Sequence, residues 1–236
     1  VHRTMITAGL PESMLAKRIE AWENALPRYL KLAYLPNPGA VRLRLSAYEV
    51  EGESVAREID RQFEALRKII PHNVIGFETA SMQELVHGLL TERRQTLATA
   101  ESCTGGSIAA RFTALPGASA YFRCGVVAYS NEAKADILGV RADDIARYGA
   151  VSEQVARQMA EGARRAAGAD YAIATTGIAG PTGGSEEKPV GTVWIAVATP
   201  ERTVAQLRQC GSDRGQIIDR ASAFAIGLLR DCLNGE

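Results

Sequence analysis

The sequence predicts an α/β chain in two parts: a small α+β domain over residues 1–79 and a three-layer α/β/α domain with a mixed sheet over 80–236. Three observations predict it. In the first part, hydrophobic periodicity switches between two and 3.6 in the order strand, helix, strand, strand, helix, strand, which fits a split βαβ layer. In the second, short strands rich in alanine, valine and isoleucine alternate with amphipathic helices, the pattern of helices covering both faces of a sheet. Apolar residues make up 46% of the 236, enough for two proper cores.

The elements follow in order. Arg3 to Ala8 reads as a strand, and Pro11 opens a helix running through Trp22 with Leu15, Ile19 and Trp22 on one face. Leu30 to Leu35 is a strand, Pro36 to Gly39 a turn, and Val41, Leu43, Leu45 and Ala47 alternate with polar neighbours as a half-buried strand. A helix spans Glu53 to Ile70, ended by Pro71, and Val74 to Phe77 is a last short strand. Ser81 caps a helix through Arg94. Strands are then expected at Leu97–Ala100, Val126–Tyr129, Ala172–Thr176, Val193–Ala198 and Val204–Leu207. Helices are expected at Gly105–Leu115, Asn131–Leu138, Ser152–Ala167 and Ser212–Leu233.

Composition excludes several functions. Lys+Arg and Asp+Glu are both 27, so no electrostatic footprint points to nucleic acid or an anionic membrane. No apolar run is long enough for a membrane span. Cys103, Cys124, Cys210 and Cys232 form no C-x-x-C pair and read as reduced, mostly buried thiols of a cytoplasmic protein. No metal-ligand cluster is visible, and no cofactor is expected. Val1 opens the chain, which is expected to be a piece of a longer protein. Arg42 and Arg44 on an open strand face would suit single-stranded RNA, but neither a GXXG clamp nor aromatic platform strands accompany them. A spacer or dimerisation module is the favoured reading of the first part.

Three segments share a strand followed by a turn of small residues: Thr99–Gly106 (TAESCTGG), Val126–Lys134 (VVAYSNEAK) and Thr175–Gly184 (TTGIAGPTGG). Strand ends of this kind converge on a ligand crevice in open α/β sheets, and glycines let backbone N–H groups approach an anion. None has Walker A or G-x-G-x-x-G spacing, and each alone is equally a turn that merely needs small residues. Ser102 is more specific: it stands at a strand end before a glycine-started helix, where Thr104, Gly105 and Gly106 would offer N–H groups. A serine nucleophile needs a base. His2, His72 and His87 all precede the second domain's first strand, which rules out a Ser-His-Asp triad inside that domain unless a histidine comes from the first domain or another subunit. After Lys68 only Lys134 and Lys188 remain, and arginine cannot serve as a base. Lys134 sits in the first turns of a helix, whose dipole lowers an amine's pKa. It is then a general base or, equally, a solvated helix-face lysine. Lys188 reads as a phosphate ligand or plain surface. Cys103 reads as a small buried hydrophobe, and strand alternation sets it and Ser102 on opposite sides.

Five ordered motifs now carry a resemblance: TAESCTGG, GVVAYSNEAKADILGV, YGAVSEQVA, TTGIAGPTGG and KPVGTVWIA. They resemble the C-terminal domain of the CinA competence/damage-inducible family, the PncC-type nicotinamide mononucleotide (NMN) amidohydrolase, over roughly Ser81 to Glu236. KLAYLPNPGAVRLRLSAY resembles the family's KH-type middle domain; a further molybdopterin-binding-like domain of full-length members is not in this sequence. The resemblance implies hydrolysis of the NMN carboxamide to nicotinic acid mononucleotide and ammonia, in pyridine nucleotide recycling, by a Ser102–Lys134 pair. It implies substrate contacts at Glu101, Thr104, Gly105, Gly106, Tyr121, Tyr129, Thr176, Gly177, Gly180, Gly183 and Arg214. NMN is the expected small-molecule partner and a homodimer the expected assembly. Two departures stand out: Ser212-Asp213-Arg214 replaces the usual Gly-Asp-Arg turn, and Ile218 stands where a further arginine is usual, leaving Arg220 as its possible substitute. A non-catalytic nucleotide-binding module is the alternative.

Overall fold

The computed structural model describes residues 1–37, 40–48, 53–71, 73–77 and 81–235. They group into two units, Val1–Ser81 and Met82–Glu236. The expected boundary between residues 79 and 80 falls outside the described residues, as do His72 and the Pro38-Gly39 half of the expected turn.

The first unit orders β1 (His2–Ala8), α1 (Glu12–Asn24), β2 (Leu30–Asn37), β3 (Ala40–Ala47), α2 (Glu53–Ile69) and β4 (Val74–Phe77). Its sheet runs β2-β3-β1-β4 with antiparallel neighbours throughout, so β3 splits the β1-α1-β2 crossover. Met5, Leu43 and Leu45 meet Leu15, Ile19, Ile59, Phe63 and Leu66 in one core. Each such fully buried aliphatic side chain contributes about 1.5–3 kcal/mol. Pro36 and Asn37 belong to β2, paired with Val41 and Ala40: the strand runs further into the turn motif than its composition suggests.

The second unit holds α3 (Met82–Arg93), β5 (Leu97–Glu101), α4 (Ser107–Thr113), β6 (Phe122–Val127), α5 (Asn131–Leu138), α6 (Ala142–Tyr148), α7 (Glu153–Ala167), β7 (Tyr171–Gly177), β8 (Thr192–Ala198), β9 (Thr203–Gln209) and α8 (Arg214–Leu233). The sheet order is β6-β5-β7-β8-β9. β5 pairs parallel with β6 and β7, and β8 and β9 extend the sheet antiparallel.

Side-chain alternation assigns its two faces. Leu97, Ile173, Val193, Ile195 and Val197 pack against α3, α4 and α8 through Leu90, Ile108, Phe112, Ile217 and Leu229. The opposite face is built of alanine. Ala98, Ala172 and Ala198 lie abreast across three strands, as do Ala100, Ala174 and Ala196, all in the core that α7 covers with Ala156, Met159, Ala160 and Ala163. Small residues on both sides bring α7 close to the sheet. Gly162 does the same toward α5: a Cβ there would stand 1.9 Å from the Leu138 carbonyl oxygen.

Three sequence expectations shift. β6 ends at Val127 rather than occupying 126–129, because it is an exposed edge strand without burial alternation. α4 begins at Ser107, since Gly105 and Gly106 take positive φ of 61° and 98°, which glycine alone adopts freely. α6 was not expected; its residues are all partly or fully exposed, so no apolar stripe announces it. Of the four cysteines, Cys103 and Cys210 are buried while Cys124 is exposed, so burial is less general than expected. Among the described residues no helix is long and apolar enough to cross a membrane.

Candidate active site

β5, β6 and β7 are parallel, so their C-terminal ends lie at one edge of the sheet. Ser102 follows β5, and its N–H donates to the Thr175 carbonyl of β7 at 2.9 Å. Ala128, just past β6, donates to the Glu101 carbonyl at 2.9 Å. α5 then starts with Ser130 as N-cap, its hydroxyl accepting from the Ala133 amide at 3.1 Å. Lys134 lies one turn into α5. Its side chain turns back along the helix toward the N-terminus, as helical side chains do, and is 2% exposed.

Lys134 Nζ stands 3.0 Å from Ser102 Oγ and 3.0 Å from the Ala128 carbonyl oxygen, with those of Tyr129 and Ser130 at 3.4 Å. Burial pushes its pKa below the ordinary lysine value. A neutral amine donates two hydrogens, which the surrounding carbonyls accept, and its lone pair is left for the Ser102 hydroxyl proton. The arrangement is that of a serine nucleophile with an amine base.

Both groups border a cavity of about 330 Å³. Tyr129 comes from the β6–α5 connection, Asn131 from the start of α5, Ala150 and Val151 from the turn before α7, and Thr176 and Gly177 from the end of β7. Ile178, Ala179, Gly180, Thr182 and Gly183 from the next loop, with Arg214 at the start of α8, complete the wall. Thr176 donates its hydroxyl to the Ala150 carbonyl at 2.8 Å. Arg214 donates to the Gly180 carbonyl at 2.8 Å and to the Tyr129 hydroxyl at 2.9 Å. Gly177 has no room for a side chain, since a Cβ would meet the Thr192 carbonyl oxygen at 2.8 Å.

The structure relocates several expected site residues. Tyr121 is 1% exposed in the hydrophobic core, edge-on to His87 and Phe112. It precedes β6 and therefore lies at the opposite edge of the sheet from Ser102. His87 is part of this unit, contrary to the sequence argument that set it aside, but it is occupied with Tyr121, 3.3 Å from the hydroxyl, and does not line the cavity. Glu101 is fully buried and, like Thr104, Gly105 and Gly106, absent from the cavity wall. The Gly105 amide donates to the Ser102 carbonyl and the Gly106 amide to the Glu101 carboxylate, so neither is spare. The Cys103 amide is engaged with its own thiol, and Thr104 lies off the cavity wall, so neither amide is placed as an oxyanion donor. Cys103 and Ser102 both border the cavity: β5 ends at Glu101, and strand alternation no longer governs the turn. Burial raises the Cys103 thiol to about 12, which disfavours it as a nucleophile.

Lys188 binds the Tyr148 carbonyl at 2.8 Å, tying the 178–190 loop to the end of α6 rather than lining the cavity. Arg220 reaches toward the Cys210 carbonyl at 3.4 Å and does not substitute for an arginine at Ile218. Asn131 and Thr182 are cavity residues that sequence reasoning missed; the first follows the cap Ser130, and the second sits inside the singled-out TTGIAGPTGG segment.

Residues 79–233 match the CinA C-terminal domain and residues 2–76 the damage-inducible protein CinA KH domain. The chain belongs to the CinA family. A CinA-like protein of Flavobacterium psychrophilum is 45% identical over 97% of this chain and 55% of its own length. One of Cytophaga hutchinsonii is 42% identical over 98% and 55%. The chain thus spans about half the length of these curated CinA relatives. Among solved structures, the competence damage-inducible protein A of Klebsiella pneumoniae is 38% identical with a TM-score of 0.63, over 65% of this chain and 95% of that one. The CihA protein of Agrobacterium tumefaciens is 40% identical, with a TM-score of 0.63 over 65% and 93%.

Proposed function

We propose that this CinA chain hydrolyses the carboxamide of NMN to nicotinic acid mononucleotide and ammonia. The observation that carries the reading is the buried Lys134 amine 3.0 Å from the Ser102 hydroxyl at a cavity. Ser102 Oγ attacks the carboxamide carbon as its proton passes to Lys134 Nζ. Collapse breaks the C–N bond, the leaving nitrogen takes the proton back from Lys134, and ammonia departs. Water then attacks the Ser102 ester, giving its proton to Lys134, and the acid leaves as Ser102 recovers a proton.

Across the cavity, Arg214 and the amides of Thr182 and Gly183, which have no protein acceptor among the described residues, suit the phosphate. In free protein Arg214 holds two neutral acceptors; phosphate oxygens offer stronger, charge-assisted bonds, each contributing about 1.5–3 kcal/mol. Nicotinamide riboside is therefore expected to lose about tenfold or more in kcat/KM relative to NMN. Ammonia release from NMN, the riboside and nicotinamide checks both points. Equal turnover of NMN and riboside removes the phosphate assignment. Silence with all three leaves the nucleotide-binding module.

A further inference from the structure

Glu101 immediately precedes the nucleophile, is fully buried, and has no place in the steps above. Its carboxylate is nonetheless saturated. Oε2 accepts from the Thr104 hydroxyl at 2.7 Å and from the amides of Gly106 at 3.1 Å and Ile108 at 3.0 Å; Oε1 accepts from the Ala109 amide at 2.8 Å. Thr175 Oγ1 lies 2.7 Å from Thr104 Oγ1 and extends the chain of bonds to β7. Helix α4 has no side-chain cap of its own, since Gly106 stands at the N-cap. Glu101 supplies the missing acceptor from the strand before it.

Two consequences follow. The strand-to-helix turn is closed through a side chain, with Ser102 and Cys103 held inside the loop so formed. The first-turn N–H groups of α4, which in glycine-rich turns commonly receive a ligand's phosphate, are already filled by an anion of the protein itself. Another anion there would meet like charge and occupied donors.

We infer that Glu101 is a positioning residue, an internal anion that occupies the start of α4, fixes Ser102 for attack and leaves the substrate's phosphate only the 180–183 loop and Arg214. The inference rests on the reading of Ser102 as the nucleophile. It divides labour between the two glycine turns: one presents the nucleophile, the other receives the charge.

The test uses Glu101→Ala and Glu101→Gln in the full chain, with formate added as a small carboxylate. Glu101→Ala is expected to lower kcat about a hundredfold, as misplaced reacting groups do, with KM within about threefold. Formate should restore about tenfold of that loss by refilling the vacated position, and neutral formamide should restore none. Backbone amide exchange at Ile108 and Ala109 should quicken in Glu101→Ala and slow again with formate, whatever the activity. Glu101→Gln keeps the shape but turns an NH2 toward N–H donors, so it should lose kcat without formate rescue; it decides the matter if the alanine variant does not fold. Unchanged kcat, raised KM with kcat intact, or unchanged exchange at Ile108 and Ala109 in both variants would overturn the inference. If the unmodified chain hydrolyses nothing, the proposed function fails while the exchange response still decides the role of Glu101.

Discussion

Lys134→Arg is expected to lower kcat for NMN by about 10²–10⁴-fold, the usual contribution of a general base, although charge and approximate length are kept. Guanidinium cannot give up its proton in this range, and its planar fork does not fit a cavity shaped around three backbone carbonyls. Lys134→Ala should be equally damaging. Ser102→Ala combined with either should be hardly worse than the single changes, because groups that act as one unit do not add. The pH profile carries the same signature. Burial lowers the Lys134 pKa from its ordinary value of 10.5, so the base is protonated at low pH, and kcat climbs as pH rises through a limb below 10.5. That limb should vanish from any residual activity of the variants. Retention of most of kcat by Lys134→Arg, with KM alone raised, would show instead that the lysine serves as a phosphate ligand.

Gly162→Ala should destabilise the second unit more than an ordinary surface change. The added Cβ would stand 1.9 Å from the Leu138 carbonyl oxygen and 2.8 Å from its carbon, and backbone cannot step aside as a side-chain tip can. Overpacking of this kind costs about 1–3 kcal/mol, occasionally more. α5 has to move away from α7, and α5 carries Lys134, so kcat should fall along with the melting temperature. A control on the other face of the sheet, Gly88→Ala on α3, meets nothing within 4 Å. It should leave both quantities unchanged or raise stability slightly, by about 0.4–1 kcal/mol. Equal melting temperatures for the two variants would mean that the α5–α7 contact is looser than described.

How far the sequence reveals this molecule depends on which physical signal each part leaves. The strand and helix order of the first unit, and the α/β alternation of the second, follow from hydrophobic periodicity. Elimination among residue types brings Ser102 and Lys134 forward as candidates, the resemblance implies them as a pair, and the structure places them 3.0 Å apart. Exposed elements leave no such trace: α6 and the true span of β6 escaped for that reason. Tyr121, given as a substrate contact by the resemblance alone, precedes β6 and packs in the core. Glu101 misleads for another reason. A carboxylate in a small-residue motif suggests contact with substrate, and only its four internal donors show that it faces inward. Hydrogen-bond partners far apart in sequence cannot be read from spacing.

The anchoring of the nucleophile to β7 also sets when the site can exist during synthesis. Ser102 rests on Thr175 through its amide, and Thr104 reaches the same residue across a separation of 71 positions. Parallel pairing of β5 with β7 closes that long loop, and such contacts form slowly. A nascent chain that has released β5, α4 and α5, and so already contains both Ser102 and Lys134, still lacks the strand that holds the serine in place. Under the proposed function, reactivity is therefore withheld from the growing polypeptide and arrives only once β7 has joined the sheet.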